Sequence, residues 1–167
     1  MGHSARLLPI HASDEAEFIA AALRSRKLHG RWVRPPSDAA GFRQLVQRME
    51  GTVNAGFVLR RGDTSELAGF MDVTNIIRGA FQNGYVAYYA FAGHDGQGFM
   101  RSGLEQLVRK AFTELKLHRL EANIQPGNLR SIALVRSCGF EREGYSPRYL
   151  KIAGRWRDHE RWAILAS

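Results

Sequence analysis

The sequence predicts an α/β (α+β) fold: a mixed, mainly antiparallel central sheet of about seven strands flanked by about four helices, in a single domain over residues 1–167. Three observations predict it. A chain of 167 residues is about one domain long and can bury one sizeable core. Hydrophobic residues make up 44% and charged residues 24%, which argues against disorder, collagen-like repeats and a disulfide scaffold. The apolar period switches between two and 3.6 in the order strand, two helices, three strands, helix, strand, helix, two strands. Helices interrupt strands too rarely there for a doubly wound parallel sheet.

Each element has its own reason. Arg6 to Ile10 reads as a first strand. Ser13 is the expected N-cap of the first helix, with Asp14, Glu15 and Glu17 at its positive end. Phe18, Ile19, Ala22 and Leu23 then recur at helical spacing, running on towards Lys27. Pro35-Pro36 closes the connection that follows, and Ser37 is expected to cap a second helix with Phe42, Leu45, Val46 and Met49 on one face. Val53, Ala55, Phe57 and Leu59 alternate as in a half-buried strand. Leu67 to Ile77 and Tyr85 to Phe91 continue the pattern, and the short connections predict an antiparallel meander. Leu104, Leu107, Val108, Ala111, Phe112 and Leu115 mark a long helix, with His118 expected to cap its end. Arg119 to Ile124 reads as a strand, and Asn128 caps a short helix ending at Gly139. Tyr145 to Ile152 and Arg155 to Leu165 form a hairpin about Ala153-Gly154.

Charge is the unusual entry in the composition. Lys+Arg number 24 against 16 Asp+Glu, for a net +8, and 20 of the 24 are Arg. Both halves share the excess. A basic surface implies an anionic partner: a phosphate-bearing cofactor, nucleic acid, an acidic protein or a membrane surface. The lone Cys138 rules out an internal disulfide and a multi-cysteine metal site. No apolar run is long enough for a membrane helix, and the start at Met1 lacks a signal-peptide core. A cytoplasmic protein with no membrane partner and no metal is the expectation.

Two segments can carry chemistry. Gly93, Gly96 and Gly98 allow a tight turn just before the long helix, whose first N–H groups and dipole favour an anion. The spacing fits neither a Walker loop nor the dinucleotide fingerprint, and from the loop alone a plain glycine turn reads as well. In Gln125-Pro126-Gly127-Asn128-Leu129-Arg130-Ser131, Asn128 and Ser131 sit in the first turn of the short helix. Simple capping explains them equally well on their own. Both segments follow strands, where sheets of this type place ligands.

In combination these motifs resemble the GNAT acyltransferase superfamily. Within it the resemblance is to the group of ribosomal-protein alanine N-terminal acetyltransferases. It is carried by Gly96-Gln97-Gly98-Phe99-Met100 opening a helix, by Ala111 to Ala122, and by Asn128-x-x-Ser131. Cys138-Gly139-Phe140-x-x-Glu143-Gly144 and Tyr149 to His159 complete it. The N-terminal part matches mainly by pattern.

The resemblance implies acetyl-CoA as co-substrate and direct attack by a primary amine, most naturally a protein N-terminus. It places Ala90, Phe91 and Ala92 beside the pantetheine arm, with Gly96, Gln97, Gly98, Phe99, Met100 and Arg101 at the diphosphate, and Asn128 and Ser131 alongside. Asp95 and Met100 depart from the family's loop pattern, and Arg101 or another arginine is expected to balance Asp95. Many relatives supply a Tyr as thiolate acid where Val135 stands here, so Ser131 inherits that role. Glu121 is the first candidate base and Asp72 the second, with His159 and Tyr149 behind them. His94 is expected to be exposed. His29, Arg31, Trp32, Arg34, Trp156 and His159 are expected to flank the acceptor. The implied partners are acetyl-CoA, the acceptor amine, and a ribosome or ribosomal protein; a homodimer stays open. A small-molecule amine as acceptor, and a non-catalytic module binding CoA or RNA, are the alternatives.

Overall fold

The computed structural model describes residues 4–167. The start at Met1 used above against a signal peptide lies outside them. The chain opens with β1 (Ala5–Pro9), a 3-10 turn (Ala12–Asp14), α1 (Glu15–Arg24), α2 (Arg26–His29) and α3 (Ala39–Arg48). The meander β2 (Ala55–Arg61), β3 (Leu67–Ile77) and β4 (Asn83–Ala90) follows. Then come α4 (Phe99–Thr113), β5 (Arg119–Ile124), α5 (Leu129–Ser137), β6 (Glu141–Ile152) and β7 (Arg155–Leu165).

The seven strands form one sheet in the order β1-β2-β3-β4-β5-β7-β6. Every neighbouring pair is antiparallel except β4 and β5. Strand alternation sends neighbouring residues to opposite faces. Phe70 packs with Phe18, Phe42 and Phe91 beneath α1 and α3. Met71 packs with Phe99, Leu104, Leu107 and Val135 beneath α4 and α5. The sheet therefore divides two cores, and each helical layer is held by its own apolar face.

Several local expectations differ from the structure for traceable reasons. The first predicted helix is two, so five helices stand where about four were expected. The break is at Ser25, whose hydroxyl donates to the Ala21 carbonyl (2.6 Å) and accepts from the Ala92 N–H (2.8 Å). Ser13 lies inside the 3-10 turn and caps nothing; Asp14 accepts from the His11 N–H (2.8 Å) instead. Asp38, one residue beyond Ser37, caps α3 by accepting from the Gly41 N–H (2.7 Å). His118 stands beyond the end of α4 at Thr113, and its backbone joins Gln82 and Ala166. The last hairpin turns at Ala153 and Gly154, both with positive φ, as a two-residue turn of matching twist requires.

The feature that positions the site is the break between β4 and β5. Their parallel ladder covers only Asn83–Tyr85 against Arg119–Glu121. Beyond Tyr85 the strands diverge into a V. The Phe91 N–H donates to Ala68 on the β3 side. By alternation the backbone groups of Val86, Tyr88 and Ala90 face away from β3, into the gap.

Candidate active site

The lower half of the β4 edge is paired and the upper half is not. Unpaired buried backbone groups are costly, so partners come from elsewhere. His29 on α2 is bonded to the Ala90 carbonyl at 2.7 Å, and Ser25 takes the Ala92 N–H. A carbonyl only accepts, so Nε2 of His29 carries the proton. Burial pushes the His29 pKa down, which keeps the ring neutral. These two residues take up backbone groups at and just beyond the top of β4.

One cavity of about 740 Å³ opens on the α4–α5 side of the V. Ala90, Gly96, Gly98, Met100, Arg101, Asn128 and Ser131 of the sequence-predicted cofactor set line it. Phe91, Ala92, Gln97 and Phe99 do not. Phe91 and Phe99 are core side chains, and Gln97 clips the loop by donating to the Gly93 carbonyl (2.8 Å). Gly93, Gly96 and Gly98 all have positive φ, and among the described residues nothing beyond the adjacent residues lies within 4 Å of an added Cβ at any of them. The loop therefore needs glycine for its turns and leaves its backbone open to a ligand. Gly98 is the N-cap of α4, so the helix's positive end faces the same space.

Of the two arginine options for Asp95, the structure uses an arginine other than Arg101. Asp95 is balanced by Arg130 (3.5 Å), while Arg101 pairs with Glu105 (3.1 Å). His94 is buried against Phe99 rather than exposed, because its backbone N–H bonds Phe91 and folds the loop back onto α4. The Cys138 thiol is raised in pKa by burial, which opposes a thiolate nucleophile.

A second cavity of about 680 Å³ lies on the α3 side. The two cavities share Trp32, Val33, Tyr88, Tyr89, Asn128 and Ser131. They meet where the V is open. At that junction Asn128 caps α5 by accepting from the Ser131 N–H (3.3 Å). The Ser131 hydroxyl lies 2.7 Å from the Tyr88 hydroxyl, with the Ser131 carbonyl at 3.2 Å from it. Burial raises the Tyr88 phenol above its ordinary pKa, so it stays protonated. Sequence reasoning missed Tyr88; only the packing of β4 on α5 brings it to Ser131.

Among the acceptor candidates, Arg34, Trp32, Asp72 and His159 line the second cavity. Trp32 sits under the Arg31 guanidinium (4.3 Å). His29 lines the first cavity instead, and Trp156 is exposed at the hairpin tip. Tyr149 packs its ring against His159. Glu121 lines neither cavity. It lies at the closed end of the V, opposite Tyr85, in an ion pair with Arg119 (2.8 Å), which also holds Glu143. Arg48, unforeseen in the sequence, lines the second cavity from α3.

The architecture is matched by sequence comparison. The family model described as an acetyltransferase (GNAT) domain covers residues 5–141. The chain belongs to the GNAT acetyltransferase family. It is an N-acetyltransferase, and the GNAT family uses acetyl-CoA. A probable N-acetyltransferase, YjcK of Bacillus subtilis, is 37% identical over 172 residues, covering 98% of this chain and 95% of the relative. The [Ribosomal protein uS5]-alanine N-acetyltransferase of Escherichia coli is 38% identical over 97 residues, covering 58% of this chain and 50% of that protein. The chain thus spans about half the length of that second relative. The solved structure of Mycobacterium smegmatis RimJ in complex with CoA-disulfide superposes with a TM-score of 0.88 at 25% identity, over 97% of this chain and 82% of that one. Among the described residues, no helix is long and apolar enough to cross a membrane, and no group of three or more His, Cys, Asp or Glu is placed to hold a metal ion.

Proposed function

We propose that this GNAT protein uses acetyl-CoA to acetylate a primary amine by direct attack, and that the amine is a protein N-terminus of the ribosomal-protein kind. The observation that carries the reading is the meeting of two cavities at the open edge of β4, with Ser131 and Tyr88 at the junction. The glycine loop and the α4 N-terminus suit a diphosphate, and the exposed β4 backbone suits an amide-bearing arm. Acetyl-CoA supplies the activated acyl group when bound. The chain's own residues do the rest. Backbone N–H groups on the gap side of β4 lie where a thioester oxygen can be polarised. The Ser131 hydroxyl is the proton donor to the leaving sulfur, and Tyr88 holds and recharges it.

The second cavity supports a peptide acceptor over a polyamine. Arg34 and Arg48 line it against one carboxylate, Asp72. A polycation meets net repulsion there, whereas a single ammonium followed by peptide carbonyls finds one anion and several donors. The E. coli relative named for ribosomal-protein alanine acetylation supports the same choice. The reaction takes place in the cytoplasm, within one domain over residues 1–167. The test is an acceptor panel: peptides with free N-termini, polyamines, free amino acids and amine antibiotics, each with acetyl-CoA, read by CoA release. Peptides are expected to give the highest kcat/KM. A polyamine or antibiotic giving it would overturn the peptide assignment.

A further inference from the structure

We infer that Asp72 is the catalytic residue that seats the acceptor ammonium and removes its proton. This rests on the acetyltransfer reading above. Asp72 interrupts the most buried strand of the sheet, within the run Leu67 to Val73. A carboxylate there is expensive unless it is paired or used. Among the described residues no cation is in ion-pair contact with it and Oδ1 has no hydrogen-bond partner, although the residue is only 5% exposed. It lines the acceptor-side cavity.

Its placement relative to Ser131 suits the reaction. Asp72 pairs with Ala87 across the β3–β4 ladder, so both side chains point to the α3 face. Tyr88 is the next residue of β4 and points to the opposite face, where its hydroxyl meets Ser131. Proton acceptor and proton donor therefore flank the open V from its two sides. An amine entering from the α3 face is deprotonated on that face, and sulfur leaves on the other.

The charged and titratable groups that face Asp72 are few. Arg48 from α3 favours its anion, and so does the nearby Ala87 N–H. Tyr89 from β4 is held neutral by burial and by Asp72 itself. Arg34, from the connection before α3, and His159, from β7, share the cavity. Burial outweighs the favourable terms and pushes Asp72 up to about 7, near the optimum for a general base at neutral pH. Its rivals fit less well. Glu121 is bound to Arg119 outside the cavity. His159 lies on β7 across the cavity, with Nδ1 2.9 Å from the Arg157 carbonyl, and brings no fixed negative charge to seat an ammonium.

The step balances. The ammonium gives one proton to the Asp72 carboxylate. The free amine forms the C–N bond as the C–S bond breaks. Its second proton ends on the sulfur through Ser131 and Tyr88, and Asp72 returns its proton to water.

The test compares kcat/KM across pH for the wild type and for Asp72→Asn, Glu121→Gln and His159→Gln, with CoA affinity measured in parallel. Wild-type kcat/KM should rise to a plateau above about pH 7. In Asp72→Asn the plateau should vanish and the rate should climb with free amine. At pH 7 the loss should be roughly 10²–10⁴-fold, with CoA affinity retained. A plateau that survives in Asp72→Asn and disappears in Glu121→Gln or His159→Gln would overturn the inference while leaving the acetyltransfer reading intact. Binding of a primary amine to the CoA complex, read by thermal shift, should also require Asp72. Amine binding unchanged in Asp72→Asn would overturn the inference even where no acceptor turns over, the outcome that would sink the acetyltransfer reading.

Discussion

Asp72→Asn should make the protein more stable while making it a poorer enzyme. The magnitude follows from the proton equilibrium. The ordinary aspartate value is 3.8, and burial pushes the folded carboxyl up to about 7. One unit is about 1.4 kcal/mol, so the buried anion costs ~4 kcal/mol once both states are ionised. The sign is fixed by which state holds the proton. Between pH 4 and 7 the folded state is protonated and the unfolded state is not, so stability falls as pH rises through that window. Above pH 7 the full cost is present; below pH 4 it is absent. Asparagine has nearly the same shape and no charge. It should therefore stabilise by about 2–4 kcal/mol at pH 9 and by less than ~1 kcal/mol at pH 4. Urea unfolding at the two pH values, with m checked for constancy, measures both numbers. An equal effect of the substitution at pH 4 and pH 9 would refute the reasoning, since it would mean that Asp72 ionises alike in both states.

Three further outcomes follow from the same geometry. Ser131→Ala should lower kcat by roughly 10²-fold or more and leave CoA affinity within a few-fold, as removal of a proton donor should; an unchanged kcat would take Ser131 out of the mechanism. Gly98→Glu places a side chain at φ +84 and a negative charge at the α4 N-terminus, so it should abolish CoA binding in calorimetry with the helical circular dichroism kept. Gly69→Ala puts a Cβ 2.8 Å from Met100 Sδ and 2.9 Å from the Tyr89 carbonyl oxygen, beside both the cofactor loop and β4. It should cost about 1–3 kcal/mol in urea unfolding, and wild-type stability would show that β3 and β4 can part there without penalty.

Much of this was legible in the chain. Leu67 to Ile77 and Arg119 to Ile124 read as strands to the residue, because apolar runs between turn signals leave little choice. The glycine loop was legible because three positive-φ positions demand glycine. Asn128 was legible because capping is local. What stayed hidden depends on contacts between distant segments. Ser25 breaks its helix to serve Ala92, 67 residues away. Arg130 answers Asp95 across 35 residues, and Tyr88 meets Ser131 across 43. Asp72 carried a signal, a lone charge in the most apolar strand. Its rank against Glu121 depended on which carboxylate finds an arginine, and that is a property of the fold. The arginine excess is likewise partly spent inside the fold: Arg60 holds Asp14 and Glu17, and Arg119 holds Glu121 and Glu143.

The most direct measurement incubates the purified protein with acetyl-CoA and a peptide bearing a free N-terminal alanine, and locates any added acetyl group by tandem mass spectrometry. One acetyl group on the α-amine, formed in step with CoA release and lost in Ser131→Ala and Asp72→Asn, is the predicted result. CoA release with no acetyl group on the peptide, or α-acetylation at the wild-type rate in both variants, would contradict transfer at the β4–β5 junction.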